Sequence, residues 1–134
     1  MRTVYVLDSN TVSYIIERDA AVAARMAEAV AERALLYLCP VVYFEVSRGF
    51  LHRQNRPKER AFRALMQQMQ WAEMDRADWN VAAHMWADCA GRGAIPSDAD
   101  VLIAAFALNR GASVVTSNVK HFDALPVPLE DWRE

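Results

Sequence analysis

Four acidic residues adjoin apolar segments that an α/β chain can bring together: Asp8 after TVYVL, Glu45 within VVYFEV, Asp100 at the head of DVLIAAFAL, and Asp123 after SVVTSNVKHF. Ionised carboxylates gathered in one pocket repel each other, and a cation between them relieves that repulsion. An all-oxygen donor set selects a hard divalent ion, so metal-assisted chemistry is the first expectation. Each acid also has a bland reading. Asp8 can cap a helix, Glu45 can pair with Arg48 one turn along, and Ser97 with Asp100 has the spacing of a capping box with a shortened acid. Helix dipoles at Asp100 and after Asp8 also favour negative charge without any metal.

A second feature is the segment RGFLHRQNRPKERAFR, in which Arg48, Arg53, Arg56, Lys58, Arg60 and Arg63 face Glu59 alone. The whole chain carries a formal charge of -2, so it has no general attraction for phosphates, and this local patch would have to supply any nucleic-acid contact. The alternative is the solvated exterior of two helices and their turn.

With 134 residues, 54% of them apolar, the chain is long enough for a core of its own and is expected to form a single domain over 1–134. Its longest apolar runs fall short of the ~20 residues that a membrane-spanning helix needs, and MRTVYVLD lacks a secretory layout, so a cytoplasmic protein without membrane contact is expected. Cys39 and Cys89 form neither a CxxC pair nor a Cys/His zinc pattern and read as core thiols.

The elements that must position the acids follow from periodicity. Residues 3–7 read as a buried strand, with Ser9 or Asn10 capping a helix that runs to about Arg18. An alanine-rich helix with Val22, Met26 and Val30 at helical spacing covers 20–33, and LLYLC reads as a second strand. Pro40 suits the first turn of a helix that holds Glu45 and ends near His52. Pro57 begins another, reaching Gln70, with Phe62, Leu65, Met66 and Met69 inward. WAEM is a weak third strand.

Asp75 or Asp78 can cap a helix carrying Trp79 and Trp86, which GRG ends, and Ser97 starts the next. Trp79, Trp86 and Trp132 read as core or interface anchors. Residues 100–109 are apolar on nearly every face, as in an enclosed helix. SVVT is the fourth strand and VPLE a short fifth. This alternation predicts an α/β fold: a mostly parallel central sheet of four to five short strands flanked by helices. Asp8 and Thr116 then lie just past strand ends, where open parallel sheets bind their ligands.

The pieces VLDSNTVSYII, VVYFEVSRG, GAIPSDADVLIAAFAL, TSNVKHF and LEDW, in this order, resemble the PIN domain and, within it, the VapC-type ribonuclease toxins of type II toxin-antitoxin pairs. The resemblance spans nearly the whole chain. It implies an endoribonuclease dependent on Mg2+ or Mn2+, dimeric, and held inactive by a cognate antitoxin. Asp8 then corresponds to the metal ligand after the first strand, Glu45 to the acid of an E-x-x-x-G helix, and Asp100 to the metal-binding acid of the DxLIAA helix.

One position departs from the pattern. Many relatives carry an acid immediately before the phenylalanine of the T-x-N segment, whereas His121 stands there in this chain. His121 could hold a water or a phosphate, and Asp123 or Asp98 could supply the fourth carboxylate. Asp98 and Asp100 point about 200° apart on a helix, which makes Asp98 a cap or rim residue. Thr116 and Asn118 match the polar residues of the motif, and Arg48, Arg53, Arg56 and Lys58 are expected to grip the RNA backbone without selecting its sequence.

Two other α/β enzyme classes are disfavoured. The DSNT segment lacks the D-x-D-x-T arrangement of haloacid dehalogenase relatives, and a receiver domain would need paired acids near the first strand and a central phosphoacceptor aspartate. The rival from another class is a non-catalytic RNA-binding or assembly module on the same fold, suggested by His121.

Overall fold

The structure is a computed structural model that describes residues 2–134. Its strands are β1 (Val4–Leu7), β2 (Leu35–Leu38), β3 (Gln70–Trp71), β4 (Ser113–Val115) and β5 (Leu129–Glu130). Its helices are α1 (Ser9–Ile16), α2 (Ala20–Ala31), α3 (Pro40–His52), α4 (Arg56–Met66), α5 (Arg76–Gly91), α6 (Asp98–Asn109) and α7 (Val119–Phe122). The strands form one sheet in the order β3-β2-β1-β4-β5, and every pairing is parallel. The expected α/β architecture is therefore the observed one.

Successive side chains of a strand face opposite sides of the sheet. Val6 and Leu7, like Val114 and Val115, are all fully buried, so both faces of the central strands are covered. This is why these strands read as continuous apolar runs instead of alternating ones. Helix α6 packs against β1, β4, α3 and α5, with Ile103, Ala104, Ala105, Phe106 and Ala107 inaccessible to solvent.

The chain leaves β1 for β2 and β3 on one side, then returns to place β4 and β5 on the other. The sheet thus changes direction between β1 and β4, which opens a crevice at their carboxyl ends. The Asp8 amide donates to Val115 O at 2.9 Å and Thr11 Oγ1 donates to the same carbonyl at 2.9 Å, pinning the start of α1 to the end of β4.

Several local expectations change. WAEM contributes only Trp71 to β3, and α4 stops at Met66 because residues 67–69 turn the chain into the sheet through N–H bonds to residues 64–66. The inner stripe of α2 is Val22, Met26 and Ala29, while Val30, one residue further round, is 46% exposed. Trp132 is buried, but Trp79 and Trp86 stand outside the core at 54% and 40% exposure. Both cysteines are buried, and desolvation pushes the Cys39 thiol up to about 11. The short helix α7 was not expected, since four residues carry too little periodicity to register.

Asp78 does more than cap. Asp75 and Asp78 form a reciprocal capping box at the start of α5. Asp78 also accepts from Asn109 Nδ2 at 2.9 Å and from Arg110 Nη1 at 2.9 Å, tying the start of α5 to the end of α6. The Arg110 guanidinium lies 3.7 Å from the centroid of the Phe106 ring. Burial raises the Asp78 carboxyl, but hydrogen bonds from Arg110 and Asn109 outweigh it and hold the group below its ordinary range.

Candidate active site

Asp8 is the N-cap of α1, as its bland reading allowed and in place of Ser9 or Asn10, and it is 4% exposed. One carboxylate oxygen accepts the Ser9 amide at 2.8 Å; the other accepts the Thr116 hydroxyl at 2.9 Å and the Asn10 amide at 3.4 Å. A carboxylate offers about four lone-pair positions, so three bonds fix its orientation and leave capacity for another partner. The capping reading and the functional reading of Asp8 are thus compatible. Thr116, just beyond β4 and fully buried, also accepts the Asn118 amide at 3.0 Å.

Glu45 reaches the same place from the middle of α3. Its Oε1 accepts the Ser9 hydroxyl at 3.2 Å, and among the described residues it forms no ion pair with Arg48. Asp100 comes from the first turn of α6, where its amide donates to Ser97 Oγ at 3.1 Å. The return bond of a capping box is not formed, so the Asp100 carboxylate is turned elsewhere. It faces His121, whose Nδ1 lies 3.9 Å from Asp100 Oδ2.

Asp8, Glu45, Asp100, Asn118 and His121 line one open cleft of about 550 Å³, together with Ser9, Asn10, Ser13, Arg48 and Arg53. Burial raises the Asp8 carboxyl above its ordinary value, with a further push from the charge of Asp100, against hydrogen bonds from Thr116 and Ser9. Glu45 is raised by burial and then by the charges of Asp8 and Asp100. The three acids therefore sense one another electrostatically. Among the described residues no three acidic, imidazole or thiol groups stand close enough to enclose an ion as their side chains lie. In charge and donor chemistry the set nonetheless fits a hard cation: oxygen ligands only, mutually repelling, at the mouth of a parallel sheet.

Two acids weighed from the sequence lie elsewhere. Asp123, the C-cap of α7, is exposed and lines a separate depression with Asp88 and Arg92, because the turn of α7 carries it past the cleft. Asp98 is exposed at the first position of α6 and does not line the cleft, as its angular offset from Asp100 requires. Of the residues that follow the T-x-N segment, His121 lines the cleft beside Asp100.

The basic segment is divided as well. Arg48 and Arg53 line the carboxylate cleft, Arg56 lines a neighbouring depression, and Lys58 Nζ lies 3.5 Å from Glu17. Sequence reasoning gave Ser9 and Asn10 only a capping role, yet Ser9 orients Glu45 and Asn10 links Asp8 with the Ser117 amide at 3.2 Å. Their adjacency to Asp8 in the DSN triplet was the available signal.

Comparison with known proteins gives a consistent picture. The sequence matches the family described as PIN domain over residues 5–127. No curated protein is significantly similar in sequence. Among solved structures, a chain of VapBC2 from Rickettsia felis bound to a DNA fragment from its promoter superposes with a TM-score of 0.87 at 20% identity, over 97% of this chain and 99% of that one. A chain of VapBC-1 from nontypeable Haemophilus influenzae gives 0.86 at 22% identity, covering 98% and 100%. VapBC-5 from Mycobacterium tuberculosis, described as a member of the VapBC family of toxin-antitoxin systems, gives 0.70 at 22% identity, covering 98% and 99%. With residues 5–127 matched and the carboxylates gathered at the sheet's switch point, the chain belongs to the PIN domain family.

Proposed function

We propose that this protein is a metal-dependent endoribonuclease acting as the toxin of a type II toxin-antitoxin pair. The observation that carries the reading is the meeting of Asp8, Glu45 and Asp100, which are remote in sequence, on one cleft that also holds two arginines. Similarity to chains from VapBC complexes supports the toxin role and an antitoxin partner.

Asp8 and Asp100 would hold the ion, Mg2+ or Mn2+, with Thr116 keeping Asp8 oriented. When bound, such an ion activates water and offsets charge on the phosphate and leaving oxygens. Glu45, whose proton affinity is raised by burial and neighbouring acids, suits acceptance of the attacking water's proton, and Ser9 holds it toward the cleft. Arg48 and Arg53 grip the phosphate by charge and by the guanidinium fork. Asn118 and His121 at the rim hold water or phosphate oxygens. Asp123 has no part in this scheme.

Homodimerisation belongs to the same reading. Phe44 and Trp79, 58% and 54% exposed, border an apolar depression with Met74 and Leu102 that would be covered by a second copy.

The test is cleavage of a broad RNA panel by purified protein with Mg2+, with Mn2+ and with EDTA. Cutting only with a divalent ion is expected, with loss of about 100-fold or more in Glu45→Gln and in a folded Asp8→Asn variant. An intact RNA panel under both ions would sink the nuclease reading, and RNA binding without cutting would favour the non-catalytic module. Expression alone should arrest growth, and a small co-expressed antitoxin should relieve it.

A further inference from the structure

The corner between α3 and α4 sorts the arginines into two groups that face different concavities. Arg48 and Arg53 line the carboxylate cleft, whereas Arg56, Arg60 and Arg63 line an adjoining depression of about 450 Å³ with Gln54, Asn55 and a single acid, Glu59. Phe50 borders both, so its position is the wall between them. The cause is local. Gln54, with φ of 53°, occupies the left-handed region and reverses the chain, and Asn55 then caps α4 through the Lys58 amide at 3.2 Å. Positions 56, 60 and 63 share one face of the new helix, while Phe62 and Leu65 are buried on another.

The charges in this depression are not balanced internally. Arg63 pairs with Glu59 at 3.1 Å, and Lys58 is turned to Glu17. Among the described residues, Arg56 and Arg60 have no acidic partner. Two neighbouring guanidinium groups on one helix face repel, and an anion with several acceptor oxygens relieves that repulsion while using their planar forks. Arg53, 5.6 Å from the Phe50 ring centroid, stands on the cleft side of the wall, so positive charge continues from one concavity to the next.

We propose that the depression bounded by Arg56, Arg60 and Arg63 is a second phosphate-binding site, which takes the backbone of the same RNA strand at least one nucleotide away from the bond held in the carboxylate cleft. This inference rests on the nuclease reading for the identity of the strand. It assigns the two arginine groups different tasks: the first acts at the scissile phosphate, and the second anchors the flanking strand. A strand too short to pass Phe50 gains nothing from the second group.

The test is binding of single-stranded RNA by fluorescence anisotropy across a salt series, in an Asp8→Asn background that leaves RNA uncut. Oligonucleotides of about 3 and about 12 nucleotides are compared, and removing one phosphate-neutralising cation should lower the log–log salt slope by about 0.7. Arg56→Ala with Arg60→Ala should weaken the long strand about 10-fold, reduce its slope by roughly 1.4, and leave the short strand unchanged. Arg56→Lys with Arg60→Lys, which keeps the charge, should retain most of the slope, and Lys58→Ala should change it less than the alanine pair does. An unchanged slope on the long strand, or equal weakening on both lengths, overturns the proposal. If the unmutated chain cuts no RNA yet the length-dependent slope persists, the nuclease reading falls and the phosphate site stands. Cutting without that length dependence removes the site alone.

Discussion

The Arg53 guanidinium rests on Gly49: a Cβ at Gly49 would stand 3.2 Å from an Arg53 Nη and 3.7 Å from its Cζ. Gly49 lies within α3, where glycine costs about 0.5–1 kcal/mol relative to alanine. Its missing side chain is the space across which Arg53 reaches the cleft. Gly49→Ala should therefore raise stability to urea by about that amount while lowering RNA cleavage several-fold, chiefly through KM. Stability and activity rising together would show that Arg53 does not depend on this seat.

Asp8 and Glu45 have raised carboxyl values in the folded chain. Their contribution to metal-free stability is thus full below the unfolded carboxylate pKa, about 4, and is lost as pH rises through the raised folded values. A divalent ion should reverse that loss. Melting temperature measured with EDTA and with Mn2+ should differ clearly at pH 7.5, by the equivalent of about 2.7 kcal/mol at 100 times Kd, and converge toward pH 4. A Mn2+ shift in Asp8→Asn as large as in the unmutated chain would exclude Asp8 as a ligand.

Thr116→Val removes the hydroxyl that donates to Asp8 at 2.9 Å while keeping a similar shape in a fully buried site. Losing that bond should cost about 1–3 kcal/mol and free Asp8 to rotate. Divalent-ion affinity, read by titration of the melting temperature, should fall about 10- to 100-fold. Unaltered ion affinity with reduced stability would confine Thr116 to a structural role.

Asp78 and Arg110 form an ion pair in which the Asp78 side chain is 1% and the Arg110 side chain 15% exposed. Asp78→Ala leaves the guanidinium without its partner and should destabilise the chain by about 3–5 kcal/mol in denaturant titrations at pH 7. Because the folded carboxyl value is lowered, this stability is present above the unfolded pKa of about 4 and is lost as pH falls through the folded value. The variant should accordingly show a flatter acid limb. RNA cleavage at temperatures where it remains folded should be near that of the unmutated chain, since Asp78 does not line the cleft.

Much of this protein was legible in linear order because local physics writes it there. Apolar runs without alternation announced β1 and β4 as strands covered on both faces, and the helix-wide apolarity of 100–109 announced α6 as enclosed. The DSN, E-x-x-x-G and DxLIAA pieces named Asp8, Glu45 and Asp100 before any geometry was known. What linear order could not supply was direction. Asp123 is the acid nearest the T-x-N segment but follows Phe122 instead of preceding it, and one short helical turn carries it into another depression and leaves His121 beside Asp100. The arginines between 48 and 63 form one patch in sequence, but a left-handed Gln54 turns the chain and sends them to two concavities. Residue type and spacing reflect interactions within a turn or a strand, whereas the cleft depends on dihedral angles at a few junctions whose effects accumulate over the whole chain.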